Sequence, residues 1–252
     1  MIINMERLTF NNIWLFLPCY NEAENLEPLV KNILELKIPN LHIAVIDDDS
    51  TDGTGAIADS LRQNYPQLIE VLHRSLPRGR ARAGKDAYIF CLDKRADVII
   101  EMDADFSHEP KYIPLMLNAL SENKGDIILG SRFLAGGSDS ERSPFRTFIS
   151  KISGVVFRLI LGLKLTDMGS GFKIYKASVV KDMAPKKMFS QKGLAISMES
   201  VFRSVKNGYR VYEIPIIFKD RRAGYSKLSW KDFFEPIFIC FKLVWQLGRV
   251  KT

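Results

Sequence analysis

Two aspartates, Asp103 and Asp105, end the apolar run Val98-Ile99-Ile100-Glu101-Met102. β-Branched residues drive that run into a strand, and a parallel sheet cannot bury the carboxylates that follow unless they are paired. Hard oxygen donors at a strand's carboxyl end suit Mg²⁺ or Mn²⁺, which takes few protein carboxylates and completes its shell with substrate phosphates. A solvated acidic loop has the same composition, so the pair alone decides nothing. A second acidic strand end shifts the balance. His42-Ile43-Ala44-Val45-Ile46 breaks into Asp47-Asp48-Asp49-Ser50-Thr51-Asp52-Gly53-Thr54, a turn rich in carboxylate, hydroxyl and glycine.

The elements that must position these groups follow from periodicity. Ile13-Trp14-Leu15-Phe16-Leu17 is a third apolar run, ending in Pro18-Cys19-Tyr20-Asn21-Glu22, and Leu26, Leu29, Val30, Ile33 and Leu34 then share one helical stripe. The Ser, Thr and Asp of the second turn are helix-capping types, and residues 55–61 continue with helical spacing. Three strands, each followed by a helix, predict an α/β fold with a mostly parallel, doubly wound sheet. Ligands of such sheets sit outside the carboxyl ends of the strands. All three motifs fall at that edge, where a nucleotide-binding crevice is expected.

Farther along, residues 110–120 read as a helix with proline in its first turn. Residues 126–133 read as a strand whose far end carries Arg132 to the acidic edge. Residues 167–175 form a Gly-rich turn into a strand, and a helix is expected around 196–202. Residues 211–218 form a strand that Pro215 confines to an edge or bulge, and a basic loop follows at 220–227.

At 252 residues the chain can bury one full core with a small appendage, and a composition 46% apolar and 26% charged excludes wholesale disorder. Cys19, Cys91 and Cys240 are odd in number and widely spaced, which points to a reducing compartment. His42, His73 and His108 lack metal-ligand spacing, and residues 1–12 are too polar for a secretory signal. The net charge of +7 is unevenly distributed. Residues 1–141 hold 14 Lys and Arg against 22 Asp and Glu, whereas residues 142–252 hold 22 against 7. Basic residues in that second part alternate with apolar helical stretches at 148–161 and 233–245, so no nucleic acid is expected as a partner. Neither stretch reaches the roughly 20 apolar residues of a spanning helix; both read as interfacial helices whose cations meet anionic headgroups.

Taken in order, Pro18-x-Tyr20-Asn21-Glu22, Asp47-Asp48-x-Ser50-x-Asp52-Gly53-Thr54, Asp103-Ala104-Asp105-x-Ser107-His108 and Gly130-Ser131-Arg132 resemble the family 2 inverting glycosyltransferases of the GT-A fold. Arg146-x-x-x-Ser150, Gly169-Ser170-Gly171-Phe172, Met198-Glu199 and Phe218-x-x-Arg221-x-x-Gly224-x-Ser226-Lys227 are similar to the dolichol-phosphate mannosyltransferase branch, which glycosylates a polyprenyl phosphate. The resemblance runs from about residue 13 to residue 228. It implies a GT-A nucleotide-diphospho-sugar transferase domain over residues 1–228; the residues beyond it, 229–252, read from their apolar pattern as a C-terminal amphipathic, membrane-interfacial helix.

It also implies roles. Pro18, Tyr20, Glu22, Ile46 and Asp48 match positions that hold the donor nucleoside. Asp103 and Asp105 match the metal-binding pair, with Ala104 against the nucleotide and Ser107 where some relatives add a metal contact. Arg132, Arg146 and Ser150 match the acceptor-phosphate cradle, for which a guanidinium's planar fork is suited. Arg221 and Lys227 match a loop over the donor diphosphate. Arg132 also counts among the donor-binding positions, and Asp105, Arg132, Arg221 and Lys227 are the catalytic set. Two features depart from the pattern: Gly79-Arg80-Ala81-Arg82-Ala83-Gly84 is unusually basic, pointing to headgroups or a different acceptor, and Asp49 replaces a small residue.

The chemistry then expected is a metal-dependent, inverting transfer of a hexosyl group, mannose from GDP-mannose in the first instance, to a polyprenyl or dolichyl phosphate. The cofactor is Mg²⁺ or Mn²⁺. A phosphate monoester is already anionic near neutral pH, so no general base is required; Glu199 is kept as a candidate for sugar contact. Alternatives are another nucleotide sugar, a saccharide acceptor, or a binding subunit without turnover. The expected location is cytoplasmic, peripheral at the cytoplasmic membrane face, with room for a separate membrane-anchoring subunit.

Overall fold

Strand-forming runs and amphipathic helices alternate along the chain and assemble one seven-stranded sheet covered on both faces. The computed structural model describes residues 10–139, 144–191, 193, 195–219 and 231–250, with only the backbone of 144–146, 149 and 231–234. The strands are β1 (Ile13–Cys19), β2 (Leu41–Asp47), β3 (Ile69–His73), β4 (Val98–Glu101), β5 (Ile127–Ser131), β6 (Lys173–Lys176) and β7 (Val211–Pro215). Their order is β3-β2-β1-β4-β6-β5-β7, parallel except for β6, which runs antiparallel to both of its neighbours. The α/β, mostly parallel expectation holds, and β7 is indeed an edge strand.

The helices are α1 (Ala23–Leu34), α2 (Thr54–Asn64), α3 (Arg80–Asp93), α4 (Ile113–Ser121), α5 (Pro144–Leu161), α6 (Ala177–Asp182), α7 (Ala195–Lys206) and α8 (Lys231–Leu247). The α1 stripe Leu26, Leu29, Val30 and Ile33 packs with Leu61 of α2 and Met116 and Leu117 of α4 against one sheet face. On the other face, Ala81, Ala83, Ala87, Tyr88 and Cys91 of α3 join Val179 and Val180 of α6. Small residues bring α3 close to its neighbours; a Cβ at Gly84 would come 2.9 Å from Ile196 Cδ1. A third cluster joins Phe157 and Leu161 of α5, Met198 and Phe202 of α7, and Cys240 and Leu243 of α8.

Three elements were not expected from the sequence, β3, α3 and α6. The helix foreseen at 110–120 begins as a 3₁₀ turn, Pro110–Tyr112, and becomes α-helical only at Ile113. The apolar stretches at 148–161 and 233–245 are helical, as α5 and α8. Each buries one side in the third cluster and leaves large apolar residues outside: Phe148, Ile152 and Leu159 on α5, and Phe238, Phe241 and Trp245 on α8. Among the described residues no helix is long and apolar enough to cross a membrane.

Candidate active site

The carboxyl ends of β1, β2, β4 and β5 share one edge, and the antiparallel β6 enters at that same edge through residues 169–172. Many of the motif residues there hold loops together. Asn21, in the left-handed region at φ 53°, donates its N–H to Ser50 Oγ (3.0 Å) and accepts from Thr51 N with its side-chain oxygen (2.9 Å). Glu22 N donates to Thr54 Oγ1 (2.8 Å), and Asp52 accepts from Ala23 N and Thr54 N, both at 3.0 Å. Burial pushes the Asp52 carboxyl up, but hydrogen bonds from Thr54 and Ala23 outweigh it and hold the pKa below its ordinary value. The loops after β1 and β2 are thereby stitched into one floor.

On that floor stand the donor-binding candidates. Pro18 and Ile46 are register partners on β1 and β2. Ile46 is fully buried in the core, so its side chain is packing, whereas Glu22 accepts from Asn25 Nδ2 at 2.8 Å. Asp48 is engaged on both oxygens, by Arg74 Nη1 on one and Gly79 N (2.7 Å) on the other. Burial still raises the Asp48 carboxyl above its usual range, against those two partners. Tyr20 lies beneath the Arg78 guanidinium, 5.1 Å from the ring centroid, and Arg78 Nη2 donates to Asp49 Oδ2 at 2.6 Å.

The unusual basic stretch is therefore turned toward the carboxylates of this edge. Arg78 meets Asp49, Arg80 meets Glu101 and Asp103, and Arg82 donates to the Arg78 carbonyl at 3.0 Å.

Asp103 and Asp105 follow β4 as expected. Asp105 is buried and accepts from Ser107 N (3.1 Å) and Ser107 Oγ (2.6 Å), so Ser107 orients this carboxylate. Ala104 between them is buried. Asp103 Oδ1 accepts from Arg80 Nη2 at 3.0 Å, while its Oδ2 lies where a Cβ on Gly171 would come within 2.8 Å. The bare turn at Gly171 is a cradle for that carboxylate. Among the described residues no group of three or more His, Cys, Asp and Glu forms a metal cage. Two oriented hard-oxygen donors without a cage fit a divalent cation that takes its other ligands from phosphate.

Arg132, at the end of β5, is gripped by Asp167. Nε reaches Oδ2 at 2.7 Å, Nη2 reaches Oδ1 at 2.8 Å, and the Arg132 amide adds a third bond at 3.1 Å. Phe133 and Phe218 lie against the guanidinium, 5.0 and 5.2 Å from ring centroid to Cζ. Glu213 of β7 in turn holds the Thr166 amide (2.9 Å) and the Asp167 amide (3.1 Å). Asp167 carried no assigned role in the sequence. Its signal was rarity: it is one of only seven acidic residues in 142–252.

Arg146 and Ser150 lie one turn apart on α5, with the Arg146 side chain outside the described residues. Arg221 and Lys227 are also outside them. Glu199 requires a correction. It is fully buried and accepts from Phe189 N (2.8 Å), Ser190 N (2.8 Å), Ser190 Oγ (2.6 Å) and Arg203 Nε (2.8 Å). Those four donors saturate the carboxylate, so it anchors a loop and is not available to a sugar.

Comparison with known proteins identifies the family. The model of the family described as Glycosyl transferase family 2 matches residues 14–184. A polyprenol monophosphomannose synthase of Mycolicibacterium smegmatis is 34% identical over 224 residues, covering 89% of this chain and 83% of that protein. An undecaprenyl-phosphate mannosyltransferase of Micrococcus luteus is 36% identical over 213 residues, covering 84% and 86%. Among solved structures, glucosyl-3-phosphoglycerate synthase from Mycobacterium tuberculosis, in complex with Mn²⁺, uridine-diphosphate and glucosyl-3-phosphoglycerate, superposes with a TM-score of 0.69 at 13% identity, covering 98% of this chain and 84% of that one. A mannosyltransferase from Pyrobaculum calidifontis in complex with GDP-Man and Mn²⁺ gives 0.62 at 16% identity, covering 95% and 66%. These last two likenesses speak to the fold alone. With the family model spanning most of the sheet and two relatives above 30% identity along most of their length, the chain belongs to glycosyl transferase family 2.

Proposed function

We propose that this glycosyltransferase moves a mannosyl group from GDP-mannose to a polyprenyl phosphate with inversion at the anomeric carbon. The observation that carries the reading is the pairing at one sheet edge of an oriented carboxylate pair, Asp103 and Asp105, with a guanidinium fixed by Asp167. One half suits a cation-bridged donor diphosphate and the other an anionic acceptor. The names of the two lipid-phosphate mannosyltransferase relatives support the same substrates.

Asp103 and Asp105 would hold Mg²⁺ or Mn²⁺, which when bound supplies Lewis-acid stabilisation of charge on the leaving diphosphate. Pro18, Tyr20 and Asp48 border the nucleoside, and the family pattern assigns Arg221 and Lys227 to its diphosphate. Arg132, with Arg146 and Ser150 from α5, orients the acceptor phosphate so that one oxygen faces the anomeric carbon. With a phosphate second pKa near 6, that oxygen is already anionic and no base need take a proton. The saturation of Glu199 by four donors agrees with a mechanism built on positioning and electrostatics.

The apolar residues exposed on α5 and α8 support peripheral attachment at the cytoplasmic face, where the lipid phosphate lies. The C-terminal segment from residue 229 serves this contact as part of one catalytic unit.

The test uses the purified chain, Mn²⁺, radiolabelled GDP-mannose and a short polyprenyl phosphate. Label should appear in the lipid phase, and Asp105→Asn, which keeps an acceptor for Ser107, should abolish it while leaving the thermal melt unchanged. No lipid-soluble label from any common nucleotide sugar sinks the assignment. Sedimentation with anionic vesicles checks attachment, and failure of the chain alone to sediment assigns attachment to a separate membrane subunit.

A further inference from the structure

Asp103 already carries a cation of the protein's own. Arg80, in the first turn of α3, reaches Asp103 Oδ1 with Nη2 (3.0 Å) and Nε (3.3 Å), and the same Nη2 lies 2.9 Å from Glu101 Oε1. Glu101 is fully buried and also accepts from Lys173 Nζ at 3.0 Å and Tyr88 Oη at 2.6 Å. Arg80 is thus fastened at two points, with its Nη1 buried and without a hydrogen-bond partner. Glu101 and Asp103 thus share Arg80, and Lys173 also faces Glu101, at a place expected to receive a divalent cation. Coulomb repulsion between a dication and a guanidinium sharing one carboxylate is strong at this range.

We propose that Arg80 is a stand-in cation on Asp103, occupying it until a nucleoside diphosphate arrives and then yielding it to the metal. The inference rests on the reading of Asp103 and Asp105 as metal ligands. A lone divalent cation must displace the guanidinium from Oδ1 and places its charge beside the cation it displaces. The diphosphate supplies negative charge and an alternative anionic partner for the Nε and Nη groups, so Asp103 is released when the cation has phosphate ligands to complete its shell. Glu101 keeps the guanidinium from swinging away. By linkage, whatever the nucleotide does to metal affinity the metal does to nucleotide affinity. Arg80 is a positioning residue in this scheme, and the basic character of the 79–84 stretch acquires a purpose there.

The test is titration of the full chain with Mn²⁺, followed by the loss of the free-ion paramagnetic resonance signal, with and without GDP. The wild type should bind Mn²⁺ weakly alone and much more tightly with GDP. Arg80→Met should bind Mn²⁺ alone at least about tenfold more tightly, and the enhancement by GDP should shrink. Should Arg80→Met fail to fold, Arg80→Gln, which retains polar contacts without the charge, carries the same expectation. Unchanged or weaker Mn²⁺ binding in a folded, uncharged variant overturns the role of Arg80, and an unaltered GDP enhancement overturns the handover. Wild-type protein that binds no Mn²⁺ even with saturating GDP overturns the metal reading of Asp103 and Asp105 itself.

Discussion

Replacing Glu101 by glutamine probes the most deeply buried charge pair next to the site. Glu101 and Lys173 are direct cross-strand neighbours on β4 and β6, both 0% exposed, with Nζ to Oε2 at 3.0 Å. Burial pushes the Glu101 carboxyl up, but Lys173 and Arg80 outweigh it and hold it below its ordinary value. Burial dominates at Lys173, whose hydrogen-bonded carboxylate Glu101 is shared with Arg80, and its pKa lies below the ordinary value.

Glu101→Gln leaves one fully buried ammonium without its directly paired counter-charge, and removing one partner of such a pair costs about 3–5 kcal/mol. Glutamine still offers Tyr88 and Lys173 an acceptor, which places the expectation at the low end, about 3 kcal/mol. For a chain of this size that lowers the melting temperature by roughly 6–12 °C. The Glu101→Leu, Lys173→Met double variant removes both charges and should lose much less than the two single changes combined. Urea unfolding followed by circular dichroism measures the wild type, Glu101→Gln, the two single changes Glu101→Leu and Lys173→Met, and the double variant. A loss under about 1 kcal/mol for Glu101→Gln, or strict additivity in the double variant, would refute the claim that this pair is held by mutual compensation.

Asp167→Asn removes the charged fork that aims Arg132, and a misplacement of that kind costs about 10–100-fold in turnover. Steady-state kinetics should show kcat falling while KM for the nucleotide sugar stays nearly constant; an unchanged kcat would mean Arg132 needs no support. His73 lies between Asp47 (3.2 Å) and Asp59 (3.3 Å), and although burial lowers its pKa, those carboxylates outweigh it and raise the value. A raised pKa means His73 contributes stability that is fully present below about pH 6.5 and is lost as pH rises through the higher folded-state value. His73→Gln should therefore flatten the urea midpoint across that range, and identical pH profiles for the two proteins would count against it.

Much of this architecture is written locally. Alternating apolar runs and helical stripes reveal β1, β2, β4 and β5 and the helices after them, because burial of a periodic face is a property of neighbours in sequence. The carboxylates fall at the strand ends for the same reason: an apolar run stops where charge begins. β3 is short and only half buried, and α3 presents small residues interrupted by arginines, so neither offers a strong period.

What sequence alone determined is the element alternation, the acidic edge and the family's motif order. Which motif residues hold the loops was decided in three dimensions. Asn21, Ser50, Asp52 and Thr54 are spent on one another, and Glu199 is spent on residues 189 and 190 and Arg203. Arg132 with Asp167, 35 residues apart, and Glu101 with Lys173, 72 apart, meet only because β6 inserts antiparallel between β4 and β5. A buried charge is tolerated only where the completed fold delivers its partner, and no periodicity along the chain encodes that delivery.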